Sequence, residues 1–185
     1  MIWTPRLARE DDIPAMEELI PLSVRTLQVP YYSPEQMEMA IGPVFHVDRQ
    51  LVGDGTYFVV EDDGKIVGCG GWSKRKKLSG CDGEQTGLDE LLNPMQDAAR
   101  IRQFFVHPKW ARRGIGTSIV KASEAAALKA GFQKVELVAT LAGEPLYASC
   151  GYAVVKRYDS PMSDGVNLPV VHMAKSLKDA VKTYL

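Results

Sequence analysis

Residues 101–117 read IRQFFVHPKWARRGIGT, and this stretch contains a strand, a basic turn and the start of a helix. The apolar and aromatic residues of Ile101–Val106 predict a strand, which Pro108 ends because proline lacks a backbone N–H. After Gly114 and Gly116, apolar residues recur every three or four positions, which is helical spacing. The sequence therefore predicts a strand joined to a helix by a short turn that contains two glycines.

The chemistry of this turn suits a phosphate group. Glycines let the backbone approach a ligand closely, and the first amides of a helix have no intrahelical partner. The segment from Arg100 to Lys121 contains six basic residues and no acidic one, although the whole chain has a net charge of −1. A Walker phosphate loop is disfavoured because no lysine stands between Gly116 and Thr117. The dinucleotide fingerprint fails because Ile119 replaces its third glycine.

The residues on either side of this unit predict strands that alternate with helices. The predicted elements are a strand over Ile2–Arg9, a helix over Glu10–Leu27 that Pro21 bends or breaks, a helix from Ser33 to about Ile41, a hairpin of Thr56–Glu61 and Ile66–Trp72, a strand over Lys134–Thr140, a short helix over Glu144–Ser149, and strands over Tyr152–Arg157 and Val166–Lys175. This order predicts an α/β fold, an α+β sandwich with at least one parallel crossover.

Composition limits the remaining possibilities. The 185 residues suit one domain, 1–185, and the 22 basic residues nearly balance the 23 acidic ones, so we expect no nucleic-acid partner. Apolar runs are too short for a membrane helix, and no secretory signal is recognisable. Cys69, Cys81 and Cys150 form no paired motif, and the histidines are not at metal-ligand spacing, so we expect no metal. The expected location is the cytoplasm.

A long insertion is predicted between two strands, at about residues 74–99. Four basic residues, Lys74–Lys77, precede a segment, residues 78–99, that contains five acidic and no basic residues. Such charge runs are usually solvated surfaces, but long loops also serve as lids over active sites.

Two motifs resemble the GNAT superfamily of N-acetyltransferases. Val106–Trp110 and Arg113–Gly116 are similar to its motif A, in which a glycine loop cradles the pyrophosphate of acetyl-CoA. The family has Arg or Gln where this chain has Ala111, and Arg112 or Arg113 could supply that charge. The resemblance implies that the cofactor is bound by Phe104, Phe105, Val106, Arg112, Arg113, Gly114, Ile115, Gly116 and Thr117.

The second motif is Leu146–Tyr152, which resembles motif B of the same family. The resemblance implies that Tyr147 is catalytic and donates a proton to the departing thiolate of CoA. The alternative is a half-buried aromatic residue packed against the sheet. Thr140 replaces the asparagine that the family has seven residues before this tyrosine.

The resemblance also implies a fold and a reaction. The fold would be a mixed, mostly antiparallel central sheet of six to seven strands flanked by helices, with a splayed parallel strand pair. The reaction would be direct transfer of acetyl from acetyl-CoA to a primary amine in a ternary complex, with the oxyanion stabilised by a strand N–H near Val106. The alternatives are a non-catalytic acyl-CoA-binding module and an unrelated phosphate-binding protein.

The sequence leaves open whether the acceptor amine belongs to a small molecule or to a protein, which residue is the general base, and the oligomeric state. Candidate bases are Glu84, His46 and His107, of which His107 occupies a motif position that usually turns the chain. Tyr31–Tyr32 and residues 78–99 fall where the family builds its acceptor pocket, and the acidic residues there favour a cationic amine. A homodimer could form if the strand near Val170–Met173 were exposed.

Overall fold

The computed structural model describes residues 2–76 and 90–178, in which one seven-stranded sheet carries helices on both faces. The helices are α1 (Ile13–Leu27), α2 (Pro34–Ala40), α3 (Arg49–Gly53), α4 (Ile115–Lys129) and α5 (Glu144–Ser149). The strands are β1 (Arg6–Leu7), β2 (Tyr57–Asp62), β3 (Lys65–Ser73), β4 (Ala99–Val106), β5 (Lys134–Thr140), β6 (Ala153–Pro161) and β7 (Asn167–Ser176). The order across the sheet is β1-β2-β3-β4-β5-β7-β6.

The sheet opens between β4 and β5. All other neighbouring strands are antiparallel, whereas β4 and β5 are parallel and pair at only two positions, Ala99 with Val135 and Arg100 with Glu136. Beyond that point β5 stays paired with β7 as far as Thr140, and β4 stays paired with β3. The two strands therefore diverge, which confirms the predicted mixed sheet with a splayed parallel pair.

Apolar stripes on the two long helices hold the layers together. Helix α1 buries Met16, Ile20 and Val24 against one face of the sheet, and α4 buries Val120 and Ala127 against the other. Each helix has 15 residues and a polar outer side, as expected for a helix that packs one face on the core and exposes the other. Within the described part of the chain, no helix is both long and apolar enough to span a membrane.

Three local predictions need correction. Of the two predicted effects of Pro21, a bend or a break, the break is wrong, since α1 continues through Pro21 and buries apolar residues on both sides of it. The first strand is only Arg6–Leu7, far shorter than Ile2–Arg9. The short helix α3 was not predicted, although Asp48 caps it by accepting hydrogen bonds from the Gln50 and Leu51 amides.

The base of the predicted insertion is ordered by two strand-like hydrogen bonds. The Lys76 amide donates to the Glu90 carbonyl and the Leu92 amide donates to the Lys74 carbonyl, at 2.9 and 2.8 Å. The Lys76 and Glu90 side chains also pair. Asp82, Glu84 and Asp89 lie outside the described residues, so the expectation that this segment attracts a cationic amine stays a prediction.

The strand near Val170–Met173 is not an exposed edge. Strand β7 lies between β5 and β6 and is paired on both sides, so β6 forms that edge of the sheet. The composition and burial of the two strands agree with this order. Strand β6 is mostly exposed and carries Lys156 and Arg157, whereas Val171 and Met173 in β7 are fully buried. The predicted route to a dimer through β7 is therefore wrong.

The tightest backbone packing in the sheet gives a prediction about stability. A Cβ atom on Gly71 would lie 2.4 Å from the carbonyl oxygen of Thr56 and 2.9 Å from the Cα of Tyr57, and neither backbone atom can move without disturbing β2. We expect Gly71→Ala to destabilise the fold by about 3 kcal/mol, because overpacking against backbone has no cheap relaxation. Chemical denaturation should show this loss, whereas Gly53→Ala, which meets open space in α3, should be neutral or slightly stabilising. Equal midpoints for the two variants would contradict the expectation.

Candidate active site

The N-terminus of α4 presents unpaired amides to the surface. Gly114 is the N-cap and has φ +86°, a left-handed conformation that glycine adopts without strain. The first amide of the helix with an intrahelical partner is that of Ser118, which donates to the Gly114 carbonyl at 3.0 Å. The amides of Ile115, Gly116 and Thr117 precede it and remain available to an anion.

These amides open into a cleft of about 400 Å³ between α4, α5 and the end of α1. Eight of the nine predicted cofactor-binding residues line it, and they are Phe104, Phe105, Val106, Arg112, Gly114, Ile115, Gly116 and Thr117. Arg113 is the exception, and its carbonyl accepts a hydrogen bond of 2.7 Å from the Trp3 indole on the N-terminal segment. Ala111 and its neighbour Arg112 also line the cleft, and Arg112 brings a positive charge to it.

Gly116 brings α4 and α5 together. A Cβ atom at this position would lie 2.8 Å from the Leu146 Cδ2 atom, so a side chain here would have to displace the Leu146 side chain. Leu146 lines the cleft, and the next residue, Tyr147, lies deeper. The second glycine of the turn therefore serves helix packing as well as access to the amides.

A smaller chamber of about 130 Å³ continues inward where β4 and β5 diverge. It shares Gln28, Phe104, Phe105 and Thr140 with the cleft, so the two cavities form one path into the sheet. Leu146 and Gly143 are also common to both.

A bulge in β4 shapes the wall of this chamber. The pairing with β3 shifts in register here, and Gln103 has φ +58°. Two hydrogen bonds hold this residue in place, one from the Tyr57 hydroxyl to its carbonyl and one from its Nε2 to the Val44 carbonyl, both 3.1 Å. The bulge redirects the following residues, Phe104 and Phe105, toward the cleft.

Tyr147 lies at the junction of α5 and the chamber. It is 7% exposed, and its ring makes edge contacts with Phe104 and Tyr152 at centroid distances of 5.9 and 5.7 Å. Burial raises the pKa of the Tyr147 phenol well above its ordinary value of 10. The phenol is therefore protonated throughout the neutral range, so its proton is present for transfer to a leaving group.

The local excess of basic residues is smaller in the structure than in the sequence. Arg100 pairs with Glu136, and Arg102 is buried against Asp48 with an N–O distance of 3.1 Å. Lys109 lines a separate surface groove beside His107. Of the six basic residues counted in the sequence, Arg112 is the one that lines the cleft.

The other sequence candidates lie away from the two cavities. His107 lines the separate groove, His46 lines neither cavity, and Glu84 is outside the described residues. Tyr32 is buried and has a structural role. Its hydroxyl donates a hydrogen bond to the Pro169 carbonyl at 2.7 Å and accepts one from the Leu141 amide at 2.8 Å. Within residues 2–76 and 90–178, no cluster of His, Cys, Asp or Glu could hold a metal ion.

His107 is expected to affect stability but not turnover. Its Nδ1 accepts a hydrogen bond from the Lys109 amide at 3.2 Å, and its ring contacts Trp110 at 4.6 Å. Burial, together with nearby Lys109 and Lys65, lowers the pKa of His107, which keeps it neutral and able to accept. His107 is the N-cap of the single helical turn Pro108–Trp110, so we expect His107→Ala to cost about 1 kcal/mol, as for other helix caps, and to leave kcat within about two-fold of wild type. A large fall in kcat without a stability loss would make His107 a base after all.

Sequence reasoning missed the contribution of α1 and of the β5–α5 turn. Ser23, Leu27 and Gln28 line the cleft from the end of α1, Ala142 lines it from the turn, and Pro145 lines it from the first turn of α5. Counting back along the chain from Tyr147 could have indicated the residues between β5 and Tyr147. Nothing local in the sequence marks Gln28, because only the packing of α1 across the sheet brings it there.

Comparisons with known proteins agree with this geometry. A model of the acetyltransferase (GNAT) family matches residues 21–152. A GCN5-related N-acetyltransferase from Rhodopseudomonas palustris superposes with a TM-score of 0.69 at 22% identity, over 96% of this chain and 99% of that one. The paiA N-acetyltransferase from Thermoplasma acidophilum, in complex with coenzyme A, gives a TM-score of 0.64 at 15% identity, over 95% and 99%.

A third structure, yncA from Salmonella typhimurium with its cofactor acetyl-CoA, gives a TM-score of 0.63 at 15% identity, over 96% of this chain and 95% of that one. At these identities the likeness to solved structures establishes the fold. A comparison with curated protein sequences gave no match.

Proposed function

The chain belongs to the acetyltransferase (GNAT) family, and on that premise we propose that it transfers the acetyl group of acetyl-CoA to a primary amine. The acceptor amine attacks the thioester directly while both substrates are bound. The observation that carries the proposal is the continuous path from the α4 amides, through the cleft, to Tyr147 in the chamber between β4 and β5. Solved relatives with coenzyme A or acetyl-CoA bound support the choice of acyl donor.

The two ends of the path suit the two ends of acetyl-CoA. The amides of Ile115, Gly116 and Thr117 bind the pyrophosphate, with Arg112 adding positive charge. The pantetheine arm extends along Phe104–Val106, where no strand of the described part of the chain pairs with β4 on its β5 side. There its amides pair with the strand as an added strand would.

The reacting groups then meet in the chamber. The nitrogen lone pair attacks the thioester carbon, and a β4 amide near Val106 stabilises the negative charge that develops on the oxygen. As the carbon–sulfur bond breaks, the thiolate takes the proton of the Tyr147 hydroxyl. The new amide nitrogen releases its surplus proton, which restores the phenol through solvent. Positioning the two substrates supplies most of the rate enhancement.

Release of free thiol tests this proposal. The purified protein is mixed with acetyl-CoA and, in turn, with propylamine, spermidine and alaninamide, and CoA is quantified with a thiol reagent. We expect amine-dependent thiol release, and stabilisation against heat by acetyl-CoA but not by ATP or NAD. Stabilisation by acetyl-CoA without amine-dependent release by any acceptor class would favour the non-catalytic binding module. Absence of stabilisation would refute both.

A further inference from the structure

Gln28 lies where the cleft and the chamber meet. It is the C-cap residue of α1, and it lines both cavities. Its backbone is fixed on both sides, because its amide donates to the Val24 carbonyl at 3.2 Å and its carbonyl accepts from the Tyr31 and Tyr32 amides at 2.9 and 3.1 Å. The side chain is therefore carried by a rigid support.

Among the residues that the structure describes, none donates a hydrogen bond to the side-chain carbonyl of Gln28. The residue is 7% exposed, and among the described residues that line the two cavities it is the one whose buried side-chain oxygen, Oε1, receives no hydrogen bond. An unpaired buried acceptor destabilises a fold, so such groups are rare outside binding sites. A ligand that donates a hydrogen bond at this position would satisfy the Gln28 side-chain oxygen.

We propose that Gln28 Oε1 accepts a hydrogen bond from the N–H of the acceptor amine and so orients its lone pair toward the thioester. This rests on the proposed function. A carbonyl oxygen can only accept, and a primary amine keeps an N–H throughout its attack. Gln28 reaches the chamber from the end of α1, whereas the proposed acyl donor is held by β4 and α4.

The rest of the chamber indicates the class of amine. Its lining includes the apolar residues Val44, Phe45, Leu168 and Val170. The guanidinium of Arg102, which also lines it, is balanced by Asp48. A small chamber whose described lining carries no unbalanced charge fits a primary amine on an unbranched carbon chain without a second charged group nearby, such as the end of an alkyl chain.

Three proteins test the role of Gln28. They are the wild type, Gln28→Met, which keeps the length and volume but loses the accepting oxygen, and Gln28→Glu, which keeps an accepting oxygen. For each, calorimetry measures the affinity for CoA and then the affinity of the CoA complex for propylamine and alaninamide. Thermal melting without ligand and thiol release with the better amine complete the comparison.

We expect Gln28→Met to weaken amine binding about tenfold or more, with the KM for the amine rising in parallel. The Kd for CoA should stay within about two-fold, and the Tm should rise by about 2–4 °C because an unpaired polar group has been removed. Gln28→Glu should restore amine binding at least in part. Equal weakening of CoA binding would assign Oε1 to a pantetheine amide and overturn the proposal.

The design separates this inference from the proposed function. If an amine binds the CoA complex of the wild type but is not acetylated, the proposed reaction fails, while the Gln28→Met comparison still decides the role of Oε1. If neither amine binds the wild-type complex, or both bind wild type and Gln28→Met equally, the inference is wrong even when thiol release is observed with spermidine.

Discussion

Replacing Gly114 with aspartate is expected to abolish useful binding of CoA, raising its Kd by about 100-fold. Gly114 caps α4 beside the amides of Ile115–Thr117, where the pyrophosphate is proposed to bind. A carboxylate there repels the phosphates, and at an effective dielectric of about 20 two unit charges a few ångströms apart repel by about 4 kcal/mol. A loss of about 3 kcal/mol corresponds to the expected factor of 100.

The variant Gly114→Asn separates the effect of the negative charge from the effect of adding a side chain at this position. A Cβ atom on Gly114 meets no atom within 4 Å, so neither side chain is crowded, but φ of +86° strains both. Asparagine has the same size as aspartate and is among the residues that tolerate this conformation best. Calorimetry with CoA should therefore show a Kd for Gly114→Asn within about tenfold of wild type. If both variants lost CoA equally, backbone strain rather than phosphate binding would explain the effect.

The order of local elements around the site could be read from the sequence because it depends on short-range signals. Three signals lie within a few residues of one another. They are Pro108, the two glycines of the turn, and the apolar residues that recur every three or four positions after Gly116. The structure confirms the strand before them and the helix after them as β4 and α4. The resemblance to the GNAT family rested on the same short stretch, and the family model includes it.

What the sequence could not show depends on long-range packing. The positive φ of Gln103 is held by Tyr57 and Val44, which are more than forty residues away in the chain. The pairing of Arg102 with Asp48 removes a charge that the local count had assigned to the phosphate site. Gln28 enters the site only because α1 crosses the sheet.

The position of β7 shows a related limit. Alternating apolar residues predict a strand but not its neighbours, so Val170–Met173 could be taken for an edge. The structure places the more polar β6 outside it, where charged side chains discourage unwanted pairing. Comparing the polarity of the last two strands would have given the correct order.

Tyr147→Phe is expected to lower kcat by about 100-fold or more, the range typical of a lost general acid, while the Kd for CoA and the Tm stay near wild type. The substitution removes one hydroxyl and keeps the ring contacts with Phe104 and Tyr152. Without the proton, the thiolate must leave as an anion in a buried chamber, which is costly. Single-turnover thiol release at saturating amine measures the chemical step directly.

Tyr152→Phe is the matched control, because Tyr152 is also buried, packs against Tyr147, and lines neither cavity. It should retain kcat within about two-fold.

The pH profile adds a second criterion. Since burial raises the pKa of Tyr147 above 10, the acid stays protonated below that pH, and kcat should not fall between pH 7 and 10 through loss of this proton. Wild-type kcat in Tyr147→Phe would show that the thiolate departs unaided, and Tyr147 would then be a packing residue.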